Sequence, residues 1–247
     1  MLIENTRGGY SFLKGIAPYS SGAAAGVGFA IERARLAEPV AVAAGFDRVM
    51  SHLHGLHRPP QALCAIELRI PAPFTFAGFD GFNSEYVKQI EKWKLLVGGL
   101  NPVARTNVAP EIDPPREPVL YAFSYTVPSR AAGRSFVLAG TGELPEGSLN
   151  PAEVVRSGDV SADAMREKAR FVIGVLGGRV RGLGVSWGAV TAVDVYTVRD
   201  IPPAFVTQEL LRAGYRNHGL TWQHTRPPIS GIDYEMDARG CSREIVL

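Results

Sequence analysis

The chain has 247 residues, 46% hydrophobic and 20% charged, with 26 Lys and Arg against 24 Asp and Glu. That is enough for one large domain or two small ones. A net charge of +2, with no run mixing basic residues and aromatics, excludes the footprint of a nucleic-acid binder, and two cysteines, Cys64 and Cys241, exclude a disulfide framework.

Residues 10–30 are small and glycine-rich, with a short strand over 27–31. Val42, Phe46, Val49, Met50 and Leu53 recur at helical spacing and predict a helix over 40–56, ended by Pro59 and Pro60. A strand over 63–70 follows, with Cys64 a small core residue. Phe82, Tyr86, Ile90 and Trp93 then mark one face of a helix over 79–93. A loop holds residues 101–106, and 119–127 is a strand. The second half repeats this order. Residues 128–133 echo 18–23, and a strand over 135–139 ends in Gly140-Thr-Gly142. Asp159 can cap a helix over 162–176, 190–198 is β-branched strand, and Pro203 opens a helix through Tyr215. The repeat predicts two α+β units, 1–127 and 128–247, each a mixed sheet with helices on one face. The bare opposite face needs another sheet to cover it, which predicts an oligomer.

The closing strand, 232–238, alternates. Ile232, Tyr234, Met236 and Ala238 face one way, while Asp233, Glu235, Asp237 and Arg239 face the other. Such an acidic face is either solvated and closed off by Arg239, or it aims a carboxylate into a site with Arg226 or another cation opposite. Asp233 lies nearest the bend at Gly231, and Asp237 sits beside Arg239, where an ion pair would hold it ionised. Glu235, central and longer, is free to project, and its like-charged neighbours should raise its pKa.

Other patterns carry less. Gly184-Val-Ser-Trp-Gly188 spells a nucleophile elbow, but that motif needs a strand before it and a helix after, and here a strand follows. His52, His54 and His57 lack the i, i+4 spacing of helical zinc ligands, so no metal is expected. The glycines of 177–188 carry no Lys-Ser/Thr and open no helix, against a phosphate loop. Trp93 and Trp222 read as core or interface anchors. No stretch approaches the roughly 18 apolar residues of a membrane span, and the first residues lack the apolar centre of a signal peptide. A soluble, cytoplasmic protein is expected.

Several of these segments resemble the RidA/YjgF family. Pro18-Tyr-Ser-Ser-Gly-Ala is similar to that family's Pro-Tyr-Ser-Gln-Ala opening, Phe82-Asn-Ser-Glu-Tyr86 to its Phe-Asn-x-x-Tyr helix, and Pro102-Val-Ala-Arg-Thr106 to its Pro-x-Arg-Thr loop. In the second half, Gly140-Thr-Gly142 is similar to its Ser-Gly-Gln strand end and Tyr234-Glu-Met-Asp237 to its Val-Glu-Ile-Glu strand. The resemblance spans nearly the whole chain as two copies. It implies tandem chorismate-mutase-like units, usually assembled as trimers with ligand sites between units. It also implies hydrolysis of an enamine or imine carboxylate to a ketone and ammonia, with no metal or organic cofactor. On this chain the motif arginine is Arg105, expected to hold the substrate carboxylate, and the last-strand acid is Glu235, expected to place the water. Tyr19, Thr141 and Gly142 are expected substrate contacts, although Tyr19 could equally be a packed core tyrosine.

Each half departs from the family pattern. The first half's closing strand reads Tyr-Ala-Phe-Ser where the acid belongs, and the second half's loop, Asn217-His-Gly-Leu-Thr-Trp222, has no arginine, leaving Arg226 as a substitute. A working site should therefore combine Arg105 of one unit with Glu235 of another. Within the family, the tandem length most resembles the 2-aminomuconate deaminases of aromatic-ring catabolism. The alternatives are a small-acid-binding module without turnover, and a chorismatase-like hydrolase.

Overall fold

The computed structural model describes residues 1–130, 133–216 and 219–247. Two short strands, β1 (Leu2–Asn5) and β2 (Tyr10–Leu13), open the chain, followed by β3 (Gly22–Ala25) and the long β4 (Phe29–Ala41). Then come α1 (Val42–Gly55), β5 (Leu63–Arg69), α2 (Phe76–Lys92), β6 (Ala104–Pro110) and β7 (Val119–Pro128). The second half holds β8 (Phe136–Gly142), α3 (Ala162–Gly182), β9 (Ala192–Tyr196) and α4 (Pro203–Ala213). It closes with β10 (Thr221–Gln223), β11 (Thr225–Arg226), β12 (Glu235–Gly240) and β13 (Arg243–Val246).

The strands form two sheets, ordered β1-β2-β3-β8-β12-β9-β10 and β11-β6-β5-β7-β4-β13. Both mix strands from the two ends of the chain. The opening strands reach the second-half sheet through β3, paired antiparallel to β8, while the closing β13 runs parallel to β4 in the other. The halves are thereby interlocked.

Helices cover one face of each sheet. Phe46, Val49 and Leu53 of α1 and Tyr86 and Ile90 of α2 pack on Ile66, Leu68, Leu120 and Phe123. Met165, Ala169, Val172, Ile173, Leu176 and Val180 of α3 form a continuous stripe over Leu138, Val193, Met236 and Ala238. Burying each large aliphatic side chain of that stripe contributes roughly 1.5–3 kcal/mol. The two remaining faces pack on each other, through small residues that include Ala65, Ala104, Val137 and Ala139. The bare face expected to need a second chain is thus covered within one chain.

Between the sheets lies a layer of paired charges. Arg33 donates from Nε and Nη2 to both Glu67 oxygens, at 2.6 and 2.7 Å. Arg239 pairs with Asp194 and, at 2.9 Å, with Glu244. Burial alone would raise the Glu67 pKa, but the Arg33 guanidinium against it brings it below the usual carboxylate range.

Several local expectations need correction. Of the loop expected over 101–106, residues 101–103 stay a loop and β6 starts at Ala104, the strand over 27–31 extends as far as Ala41, and α3 runs past its expected end to Gly182. The cap of α3 is Ser161, whose side chain accepts from the Ala164 N–H; Asp159 instead accepts from the Ser161 N–H. Ser186 stands before a short 3-10 turn rather than at a strand–helix elbow. His52 packs edge-on against Phe123 and Tyr125. The 128–133 echo and the loop Asn217-His-Gly-Leu-Thr-Trp222 include Ala131, Ala132, Asn217 and His218, which lie outside the described residues. No helix among the described residues is long and apolar enough to cross a membrane.

Candidate active site

The alternation of the closing segment now has two identifiable destinations. Tyr234, Met236 and Ala238 are buried in the core with α3. Glu235 and Asp237 are buried on the opposite side, so the acidic face is not a solvated one. Glu235 lies at the start of β12, opposite Gly142 of β8. Its carboxyl fills space left by a missing side chain, because a Cβ on Gly140 would stand 2.1 Å from Glu235 Oε1. Among the described residues, that carboxyl receives no hydrogen bond. Burial, and next the neighbouring Asp237, raise its pKa well above the ordinary 4.5.

The two flanking acids are committed elsewhere. Asp233 Oδ2 accepts from Lys168 Nζ at 2.6 Å, and Arg199 holds its other oxygen at 3.1 Å. Asp237 Oδ2 accepts from Thr106 Oγ1 at 2.7 Å and from the Tyr196 hydroxyl at 2.9 Å, while Oδ1 is buried without a partner. The expected Asp237–Arg239 pair is long, 3.9 Å, because Arg239 takes Asp194 instead. Asp237 is accordingly not held ionised. Burial, then Asp194 and Glu67, push its pKa up to about 7.

Arg105 projects from β6, whose parallel pairing with β5 sets it beside Ile66. It is 3% exposed. Four rings surround its guanidinium, Tyr19 at 4.5 Å, Tyr86 at 4.7 Å, Phe79 at 5.4 Å and Phe82 at 5.5 Å. Nη2 donates to Asn83 Oδ1 at 2.6 Å and Nη1 has no partner. No carboxylate among the described residues lies within ion-pairing distance. A buried charge without a counter-ion is costly, although the aromatic cage recovers part of that cost through ring quadrupoles.

Tyr19, Arg105, Thr141, Gly142 and Glu235 all line one open-mouthed cavity. Arg105 and Glu235 come from opposite halves of the chain, in the combination the departures from the family pattern predicted. Arg226 is elsewhere. It is half-exposed on β11 and grips Glu111 with two nitrogens, at 2.5 and 2.7 Å. Glu111, six residues beyond Arg105 in the chain, is thereby taken by Arg226.

Sequence reasoning missed Arg179 and Glu146, which line the same cavity. Arg179 projects from α3 and donates from Nε and Nη2 to the Glu146 carboxylate at 2.8 and 3.0 Å, and from Nη1 to the Ala139 carbonyl at 2.7 Å. An available signal was its place beside Val180 on the apolar stripe of Val172 and Leu176, where a charge needs a reason.

Comparison with known proteins agrees along nearly the full length. The family described as 2-aminomuconate deaminase CnbZ matches residues 2–245. A 2-amino-5-chloromuconate deaminase from Comamonas testosteroni is 45% identical over 243 residues, covering 97% of this chain and 96% of the relative. A chorismatase crystal structure superposes with a TM-score of 0.52 at 14% identity, covering 97% of this chain and 78% of the other, a likeness of fold alone. The fold is the α+β arrangement of two chorismate-mutase-like units in tandem, and with its family matched from residue 2 to residue 245, the chain belongs to the 2-aminomuconate deaminases of the CnbZ type.

Proposed function

We propose that this protein hydrolyses 2-aminomuconate, or a ring-substituted relative of it, to the 2-oxo acid and ammonia. The observation that carries the reading is Arg105, a buried guanidinium with a free Nη1 and no internal carboxylate, opening on a cavity that also holds the unbonded carboxyl of Glu235. A guanidinium's planar fork matches a carboxylate, and the substrate named for the relatives supplies one beside the reacting carbon.

The chemistry needs a proton shuttle at every step. The enamine gains a proton at carbon to become the iminium ion, water adds to the C=N carbon, and the carbinolamine expels ammonia as the carbonyl forms. Glu235, its pKa raised mainly by burial, starts protonated and donates. As a carboxylate it then takes the proton of the attacking water, returns it to the departing nitrogen, and recovers its own proton from the carbinolamine hydroxyl as the carbonyl forms. Tyr19, Thr141 and Gly142 line the same walls and position the substrate. Arg226, held by Glu111 outside the cavity, has no part in this reading.

Release of ammonia from 2-aminomuconate tests it. Glu235→Gln should slow release at least roughly a hundredfold while still binding a carboxylate ligand. Undiminished turnover by the folded variant would move the chemistry elsewhere, and binding without turnover by either form would favour the small-acid-binding module. The unit boundary at 127/128, a cytoplasmic setting and a trimer of tandem chains belong to the same reading, supported by the repeat, the composition and the family resemblance. Sedimentation of the purified protein tests the trimer.

A further inference from the structure

We infer that Arg179 and Ser21 form a second carboxylate site in this cavity, built for the far carboxylate of a dicarboxylic substrate, and that Glu146 fills it in the free protein as an internal stand-in. The inference rests on the deaminase reading and deepens it by saying how the substrate's other end is held.

Three donors converge on one carboxylate. Arg179 Nε and Nη2 donate to Glu146 Oε2 and Oε1 at 2.8 and 3.0 Å, and Ser21 Oγ donates to Oε1 at 2.7 Å. The third guanidinium nitrogen is fixed on the Ala139 carbonyl, which sets the plane of the fork. This is the bidentate geometry by which arginine selects a carboxylate. The cradle is rigid and buried, since Arg179 sits on a packed helix and its side chain is 7% exposed.

The carboxylate in the cradle is of a different kind. The Glu146 side chain is 46% exposed and belongs to no helix or strand. It sits between Pro145 and Gly147, a glycine at φ +83° with open space where a Cβ would stand. Three residues earlier, Glu143 shows what permanent anchoring looks like. It is fully buried, 3.1 Å from Lys168 Nζ, and it accepts from the backbone N–H groups of Asp233 and Tyr234. The segment is therefore tied down at Glu143 and exposed at Glu146, so Glu146 can swing out without unmaking the core.

With Glu146 withdrawn, the cavity holds two guanidiniums, Arg105 and Arg179, beside Glu235, whose pKa burial raises. The Tyr19 hydroxyl is within electrostatic reach of both arginines and of both glutamates. A dianion with carboxylates at its two ends matches that charge arrangement; a monoacid leaves one arginine on its internal partner. In this arrangement Glu146 competes with the substrate and raises its apparent dissociation constant.

The test is calorimetric binding of cis,cis-muconate, an unreactive dicarboxylate, and of its monoacid counterpart 2,4-hexadienoate, to the full chain and to Glu146→Gln and Glu146→Ala. Muconate should bind roughly tenfold tighter to Glu146→Ala than to the natural protein, a difference of about 1.4 kcal/mol, with Glu146→Gln between them. Adding Arg179→Lys to Glu146→Ala should remove the gain, and preference for muconate over the monoacid should follow the same order. Should Glu146→Ala not fold, Glu146→Gln alone must show the tightening. Folded variants that bind muconate no better than the natural protein would make Arg179–Glu146 a fixed wall and overturn the inference. Ammonia release separates the two levels of argument. If the natural protein releases none from aminomuconates, the deaminase reading fails while the muconate series still decides on the Arg179 site; normal release with unmoved muconate affinity sinks the second site alone.

Discussion

Along β5, β6 and β12 the protein buries charge in two places. Between the sheets Arg33 meets Glu67 and Arg239 meets Asp194 and Glu244, each cation facing a carboxylate. At the cavity end Arg105 meets four aromatic rings and an asparagine, and Glu235 meets nothing that bonds it. The chain thus could have balanced these charges with the residue types it uses a few ångströms away. Where charges are matched, removing one partner should damage the fold; where they are unmatched, the proposed function makes the missing partner a ligand, and removal should damage function.

The largest effect should come from breaking a matched pair. Glu67→Ala leaves Arg33 buried beside only a partly exposed Glu244, and should cost about 3–5 kcal/mol of unfolding free energy. Denaturant melts check it. In the natural protein the depressed Glu67 pKa contributes stability that is present above the ordinary 4.5 and lost as pH falls below it. Glu67→Ala should therefore also flatten the acid side of the stability curve.

Arg105→Lys should do the converse. It keeps the charge, loses the fork, and should weaken carboxylate binding by roughly 2 kcal/mol or more while the melting temperature stays within a few degrees. A large fall in stability with unchanged affinity would place Arg105 among the structural cations. Smaller still should be Gly140→Ala, whose new methyl group would collide with the far end of the Glu235 side chain rather than with backbone. The carboxyl can move aside, so the fold should survive and ammonia release should fall roughly tenfold, the lower end of what a misplaced proton-transfer group costs.

How much of this could be read from the residues divides along similar lines. The period-two run of 232–238 exposed Glu235, since a strand with one apolar face leaves no doubt which residues face away from it. Arg105 was legible through motif order, yet the strand that carries it was not. β6 is buried on both faces and shows no alternation to find. Arg179 was hidden because Gly177 and Gly178 read as the start of a loop, whereas Val180 and Leu183 keep packing on the core and carry α3 through both glycines. Arg226 was assigned by elimination. Its actual partner, Glu111, lies 115 residues away and is brought near by the β11–β6 pairing, which no local pattern announces.

Asp237 stands on the border between the two regions and sharpens the comparison. Its Oδ2 is bound by Thr106 and Tyr196, as in the matched layer, but its Oδ1 has no partner and its closest cation is 3.9 Å away. Burial first, then Asp194 and Glu67, lift its pKa from 3.8 to about 7. The folded protein therefore keeps a proton that the unfolded chain releases near the ordinary value. The stability tied to that proton is complete below pH 3.8 and falls away as pH rises toward about 7, levelling off beyond it. Asp237→Asn keeps an acceptor for Thr106 and Tyr196 and carries no charge at any pH. It should melt at nearly the natural temperature at pH 4 and a few degrees higher at pH 8, a gain of roughly 1 kcal/mol. Because Asp237 is the second cause of the raised Glu235 pKa, after burial, the same substitution should lower that pKa and move the pH profile of ammonia release toward acid. Melting curves and rates across pH 5–8 measure both. A melting difference that does not change with pH would mean that Asp237 is ionised after all, paired at long range with Arg239, and would return it to the matched layer.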